Sequence, residues 1–249
     1  LSQRRGESQR ASSGQGKLSA VRAAMREASD ADDAVHLLRF FKTGPGEYGE
    51  GDRFRGIRTP ALRAMVRDFA ELSHDDTLEL LQSTWHEERM LALMLMVNAH
   101  EKGDSRTQTG IFKSYLAHTR FINNWDLVDA SAAYIVGPHA SGDDPRLLSK
   151  LAHSKMLWER RIAIVSTFHH IRRNDFGPTL LVADWLLADP HDLIHKATGW
   201  MLREVGKRDV AAEEAFLLQR YDRMPRTMLR DAIERFPEKR RKAYLAGSV

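Results

Sequence analysis

The sequence predicts an all-α fold: a curved stack of antiparallel helix pairs. Three observations predict it. Apolar residues recur at three- and four-residue spacing along most of the chain, the pattern of amphipathic helices. No stretch alternates apolar and polar residues long enough to argue for a sheet. And a helix-pair unit repeats, its second helices starting near residues 86, 124, 157, 191 and 225, a period of about 34 residues typical of helical repeat stacks. In such stacks each unit packs mainly on its neighbours, and the array curves to give a long concave face.

The elements follow in order. "LSQRRGESQRASSGQG" (1–16) is polar and almost free of apolar residues, so it is expected to be a disordered tail, with a single domain over 17–249. "LSAVRAAMREA" (18–28) and "DADDAVHLLRFF" (30–41) read as helices. "TGPGEYGEGDRFRG" (43–56) is the one long glycine-rich loop. Pro60 marks the first turn of the next helix, with Thr59 as its N-cap. Five pairs follow. "SHDDTLELLQS" precedes "HEERMLALMLMVNAH", and "RTQTGIFKSYLAH" precedes "NWDLVDASAAYIV". "DPRLLSKLAH" precedes "LWERRIAIVSTFHHI", and "FGPTLLVADWLLA" precedes "HDLIHKATGWMLREVGK". "VAAEEAFLLQRY" precedes "MPRTMLRDAIERF". The second helices are more apolar, yet carry Asp129, Arg161 and Arg203, which places them on the inner, concave side.

Composition excludes several classes. There are 249 residues, 42% hydrophobic and 29% charged, ordinary for a soluble protein. No apolar run approaches the ~20 residues of a membrane span, and no apolar signal core opens the chain, so a cytoplasmic location is expected. Zero cysteines exclude disulfides, zinc–thiolate sites and a Cys nucleophile. The net charge of +4 is concentrated at the ends, where Arg4, Arg5, Arg10, Lys17, Arg22 and Arg26 face only Glu7. A basic surface suits a polyanion; a solvated tail explains the same charges.

Several motifs fail. "WHEERM" (85–90) lacks the second His of a zinc helix, and "GPGEYGEG" has glutamates where a phosphate loop needs Lys and Ser/Thr. His169 and His170 point to different helix faces, and no G-x-S-x-G elbow occurs. No metal and no cofactor is expected.

"FINNWDLVDA" (121–130) is more informative. Asn123, Asn124 and Asp126 fit helix-start chemistry, where a carboxylate meets the helix dipole. Asp129 lies further along, in a largely apolar run, where a carboxylate needs a partner or a purpose. Trp125 sits one turn before it. Taken singly, Trp125 reads as packing and Arg161 as a salt bridge. Together with Trp200 they place two aromatics, a carboxylate and a guanidinium on three successive inner helices. Two indoles can hold a flat or cationic group by stacking, and a carboxylate can stabilise a developing positive charge.

The stretches "GIRTP" (56–60), "WDLVD" (125–129), "LWERRIAI" (157–164) and "KATGWMLREVGK" (196–207) make the chain resemble AlkD-type DNA alkylation repair proteins, alkylpurine DNA glycosylases built from HEAT-like repeats. The resemblance covers roughly residues 20 to 240. It implies Asp129 as the catalytic carboxylate, Trp125 and Trp200 as aromatic walls beside the lesion, and Arg161 as a cleft residue on the DNA backbone. Arg203 is implied as a phosphate contact, with Lys207, Arg160, Arg58 and Thr59 as further DNA-binding residues. The implied reaction is hydrolysis of the N-glycosidic bond of cationic N3- and N7-alkylated purines, by a monomer on double-stranded DNA and without full base flipping. A bare helix wall, with no deep pocket, suits that mode. The sequence departs from the family in its long loop at 43–56 and in Phe40, near where a tyrosine can occur. Two rivals remain: a non-catalytic repeat protein that binds distorted or branched DNA, and a protein-binding scaffold.

Overall fold

The computed structural model describes residues 16–249 except Gly142. The tail expected at 1–16 therefore lies outside the described residues up to position 15, while Gly16 already opens a helix, α1 (16–27). Regular structure among the described residues is helical, with one isolated bridge between Arg53 and Trp85. Two compact units divide the chain between Ala130 and Ser131.

The first unit holds α1, α2 (Ala31–Phe40), α3 (Thr59–Asp68), α4 (His74–Leu81), α5 (His86–Lys102), α6 (Ser105–Ala117) and α7 (Trp125–Asp129). Its centre is α5, which packs on α3, α4, α6 and α7. That helix buries residues all round its circumference, from His86 to Met96, as a core helix must. Side chains cap the flanking starts. Asp30 accepts from the amides of Asp32 and Asp33, Ser73 from Asp76, and Asp104 from Thr107. At α3 the cap differs from expectation. Arg58 holds the N-cap position without a side-chain bond, and Thr59 is already helical with Pro60 behind it. Pro60 tolerates the first turn because its missing N–H has no partner there anyway.

The second unit holds α8 (Ala132–Ile135), α9 (Arg146–Ala152), α10 (Leu157–Ser166), α11 (Phe168–Ile171), α12 (Gly177–Trp185), α13 (Asp192–Gly206), α14 (Val210–Leu218), α15 (Arg226–Ala232) and α16 (Glu238–Ala246). Its centre is α13, packed on α10, α12, α14 and α15. The second helices of the pairs thus start at His86, Trp125, Leu157, Asp192 and Arg226, each within one residue of the sequence reading. One expected helix is broken. "NWDLVDASAAYIV" does not run through: α7 ends at Asp129, and Ser131, at φ −131° and ψ −40°, interrupts the spiral before α8. Asp129 is therefore the last residue of a five-residue helix rather than a second-turn position inside a longer one.

Candidate active site

The first unit contains a cleft of about 830 Å³, in the range of roughly 300–1,000 Å³ for small-molecule sites. It is deeper than a bare helix wall predicts, because α2 and the glycine-rich loop stand against α7. Asp126 and Asp129 of α7 line it, together with Trp125, Phe40, Phe41 and Phe54. Arg58, Thr59 and Arg63 line it from the start of α3.

The aromatic wall is a connected stack. The Trp125 indole lies 5.4 Å from the Phe41 ring, nearly parallel, and 6.0 Å from Phe40, tilted toward edge-on. Phe41 stacks in turn on Phe54 at 5.1 Å. Such pairs add about 0.5–1.5 kcal/mol each beyond their buried area. The indole Nε1 donates to the Tyr48 hydroxyl at 3.3 Å, so the glycine-rich loop holds the outer edge of Trp125. Phe40, 54% exposed, leaves an aromatic surface open to a ligand.

Why α7 forms here is local. Asn124 is fully buried, and its side-chain oxygen accepts from the Trp125 amide at 2.8 Å. Leu127 and Val128 go into the core, which leaves Trp125, Asp126 and Asp129 on the partly exposed side. Asp126 does more than start the helix. One of its oxygens accepts from the Leu127 amide, and the other accepts from His86 Nε2 at 2.8 Å.

His86 was not among the residues singled out from the sequence. It is 3% exposed, and its other nitrogen, Nδ1, donates to Asp52 at 3.1 Å. Burial alone would push the imidazole down, but the carboxylates of Asp126 and Asp52 outweigh that and the repulsion of Arg89, raising it to about 9. Burial pushes the Asp52 carboxyl up, yet the His86 hydrogen bond and the Arg89 charge draw it below its ordinary value. Arg89 Nη2 donates to the same carboxylate at 2.6 Å. Glu87, next along, accepts the amides of Arg55, Gly56 and Ile57, pinning the end of the loop. The signal was present in "HEER": four consecutive ionisable residues opening a helix whose middle is apolar. Only the fold shows what they hold.

The implied DNA contacts are distributed over both units. In the first, Arg58 makes a two-pronged ion pair with Asp33, at 2.6 and 2.9 Å. In the second, Arg160 pairs with Asp189 at 2.6 Å, Arg203 with Glu234, and Lys207 with Glu204 at 2.6 Å. Arg161 is buried, and its Nη1 donates to the Leu193 carbonyl at 2.6 Å, tying α10 to the start of α13. Trp200 is partly exposed, donates from Nε1 to Glu204 at 3.1 Å and faces Phe168 at 6.2 Å. Arg172 lies over Phe168 and Tyr134, an aromatic–cation cluster that the sequence did not signal. Among the described residues no group of three or more His, Asp or Glu is arranged to hold a metal ion.

A helical-repeat protein with an aromatic, carboxylate-bearing cleft in its first unit is the class that fold and geometry define. Residues 21–236 match the family of DNA alkylation repair enzymes, and the chain belongs to that family. A similar solved structure is a predicted DNA alkylation repair enzyme from Enterococcus faecalis, with a TM-score of 0.66 and 16% identity over 84% of this chain and 97% of that one. At that identity the likeness speaks for the fold. No functionally curated protein matches the sequence.

Proposed function

We propose that the protein is a monofunctional DNA glycosylase, hydrolysing the N-glycosidic bond of positively charged N3- and N7-alkylated purines in duplex DNA as a monomer without metal or organic cofactor. The observation that carries this reading is the cleft in which Trp125, Asp126 and Asp129 of one short helix meet Phe40, Phe41 and Phe54. Aromatic faces attract a flat cation, and a carboxylate stabilises a sugar that becomes cationic as the bond breaks. The bond between C1′ and the purine nitrogen breaks, and its electron pair neutralises the charged base. Water then adds at C1′ and gives up a proton to Asp129 and on to solvent, with Asp129 having stabilised the oxocarbenium-like sugar and oriented the water. The leaving base needs no proton, so one working carboxylate suffices. Asp129 is partly exposed, which suits a sugar reached while the base stays largely within the duplex. Trp200 takes the aromatic-wall role the resemblance implies; for the backbone contact it implies, the buried Arg161 would have to release the Leu193 carbonyl.

Arg58, Arg160, Arg203 and Lys207, with Thr59, are the proposed DNA-binding residues. Each of these four cations is paired with a carboxylate, so binding exchanges that partner for phosphate. Such exchange makes affinity fall steeply with salt. Base release from a panel of duplexes tests the reading. N7-methylguanine and N3-methyladenine should be released faster than their spontaneous loss, and neutral uracil and hypoxanthine should not. Equal release of neutral bases would contradict the role given to charge. Salt-dependent duplex binding with no release would favour a non-catalytic DNA binder.

A further inference from the structure

Among the ionisable groups lining the cleft that the proposed chemistry does not use, His86 is the most deeply engaged. Its two ring nitrogens join two separate segments, Asp52 of the glycine-rich loop at 3.1 Å and Asp126 of α7 at 2.8 Å. Asp126 stands between Trp125 and Asp129 on a helix of five residues, too short to hold itself by backbone bonds alone. The loop reaches the same helix a second time, through Tyr48 on the Trp125 indole. The imidazole also packs against both phenyl rings, 4.6 Å from Phe54 and 4.9 Å from Phe41.

We propose that His86 is a positioning residue whose imidazolium bridges Asp52 and Asp126, holding α7 against the glycine-rich loop so that Trp125 and Asp129 keep their working orientation in the cleft. The inference rests on the glycosylase reading for its catalytic consequence, but its geometry stands apart from it.

The charge is essential to the bridge. A neutral imidazole carries one N–H, so it can donate to only one of the two carboxylates. The charged groups facing it are Asp52 from the loop, Arg89 from its own helix and Asp126 from α7, with Glu87 as its chain neighbour. Asp52 keeps Arg89 when His86 loses its proton, and Asn124 Nδ2 lies 3.4 Å from it. Whichever carboxylate the remaining N–H serves, the other link is lost, and with it the bridge that holds α7 to the loop.

The test uses the full chain, with His86→Gln and Asp126→Asn. Two quantities are read between pH 6.5 and 9.5. One is single-turnover release of N3-methyladenine from a duplex, corrected for spontaneous loss at each pH. The other is the indole N–H resonance of Trp125, assigned by its disappearance in Trp125→Phe. In the wild type both should change with a midpoint near 9, where His86 titrates. In His86→Gln the rate should fall about 10- to 100-fold, the scale of a small misplacement of a reacting group, with duplex affinity within about twofold of wild type. Its alkaline transition should vanish. In Asp126→Asn the transition should move to lower pH. Identical pH profiles and Trp125 titrations in wild type and variants would overturn the proposal. If His86→Gln does not fold, Asp126→Asn decides, since asparagine keeps an acceptor for Nε2 and removes only the charge. A wild type that releases no base above the spontaneous rate refutes the glycosylase reading alone; the Trp125 resonance then still decides on His86.

Discussion

Gly56 shows how much one residue can fix. Its φ is +79°, and a Cβ there would stand 2.0 Å from the Asp30 carbonyl oxygen. Only glycine lets the loop end pass so close to α2 while its amide reaches Glu87. Glu213 is the opposite case, a residue whose local setting is unfavourable. Its side chain is buried beside Gly206, where a Cβ would lie 1.6 Å from its Oε2. Burial and the nearby Glu214 charge push its carboxyl up to about 8, against Arg203. The folded state therefore binds this proton more tightly than the unfolded chain, where the carboxyl titrates at 4.5. Between those two values stability should fall as pH rises, and above pH 8 the full penalty applies, on the order of 5 kcal/mol. Glu213→Gln should match the wild type near pH 4 and exceed it in denaturant midpoint at pH 8.5. Equal midpoints at both pH values would refute the buried, protonated carboxyl. Neither residue was legible in the sequence, since each depends on what folds against it. Trp125 and Asp129 were, because their spacing sets them on one helical face, as the structure has them.

At the scale of elements, α7 is the one whose form differs most from expectation. Apolar periodicity suggests a long helix over 124–136, but Ser131 interrupts it and a short helix remains. Periodicity reports which residues seek a core; it does not report whether the backbone stays helical between them. What keeps α7 is its cap, its two buried residues and the tie to His86. Asn124→Ala removes the bond to the Trp125 amide and leaves the buried Asp52 side of the site with one donor fewer. We expect a loss of about 1–2 kcal/mol, read as a lower denaturant midpoint, together with a weaker rate of base release. Unchanged stability would mean that packing of Leu127 and Val128 alone holds the helix. The glycine-rich loop is the other element that the sequence left without a role. Its contact from Tyr48 to Trp125 spans 77 residues, and no local pattern signals a pairing at that distance. Rejecting it as a phosphate loop agrees with its contacts, since Glu47 and Glu50 accept the loop's own amides at Gly44 and Gly46.

Along the whole molecule, the repeat was the most legible feature. A period of about 34 residues places the second helix of each pair because every unit solves the same packing problem. Charge was less legible. A formal +4 suggests a basic protein, yet Arg58, Arg160, Arg203 and Lys207 each stand against a carboxylate. In the proposed function these pairs have a meaning: DNA phosphates would replace the carboxylates on binding. The central claim is that Asp129 performs the chemistry. It is tested most directly by single-turnover release of N7-methylguanine from a duplex, with wild type and Asp129→Asn at equal saturation. The wild type should exceed spontaneous loss, and the variant should be slower by about 100-fold or more, the scale of removing one preorganised electrostatic group. Wild type and Asp129→Asn releasing the base at the same rate would contradict the account.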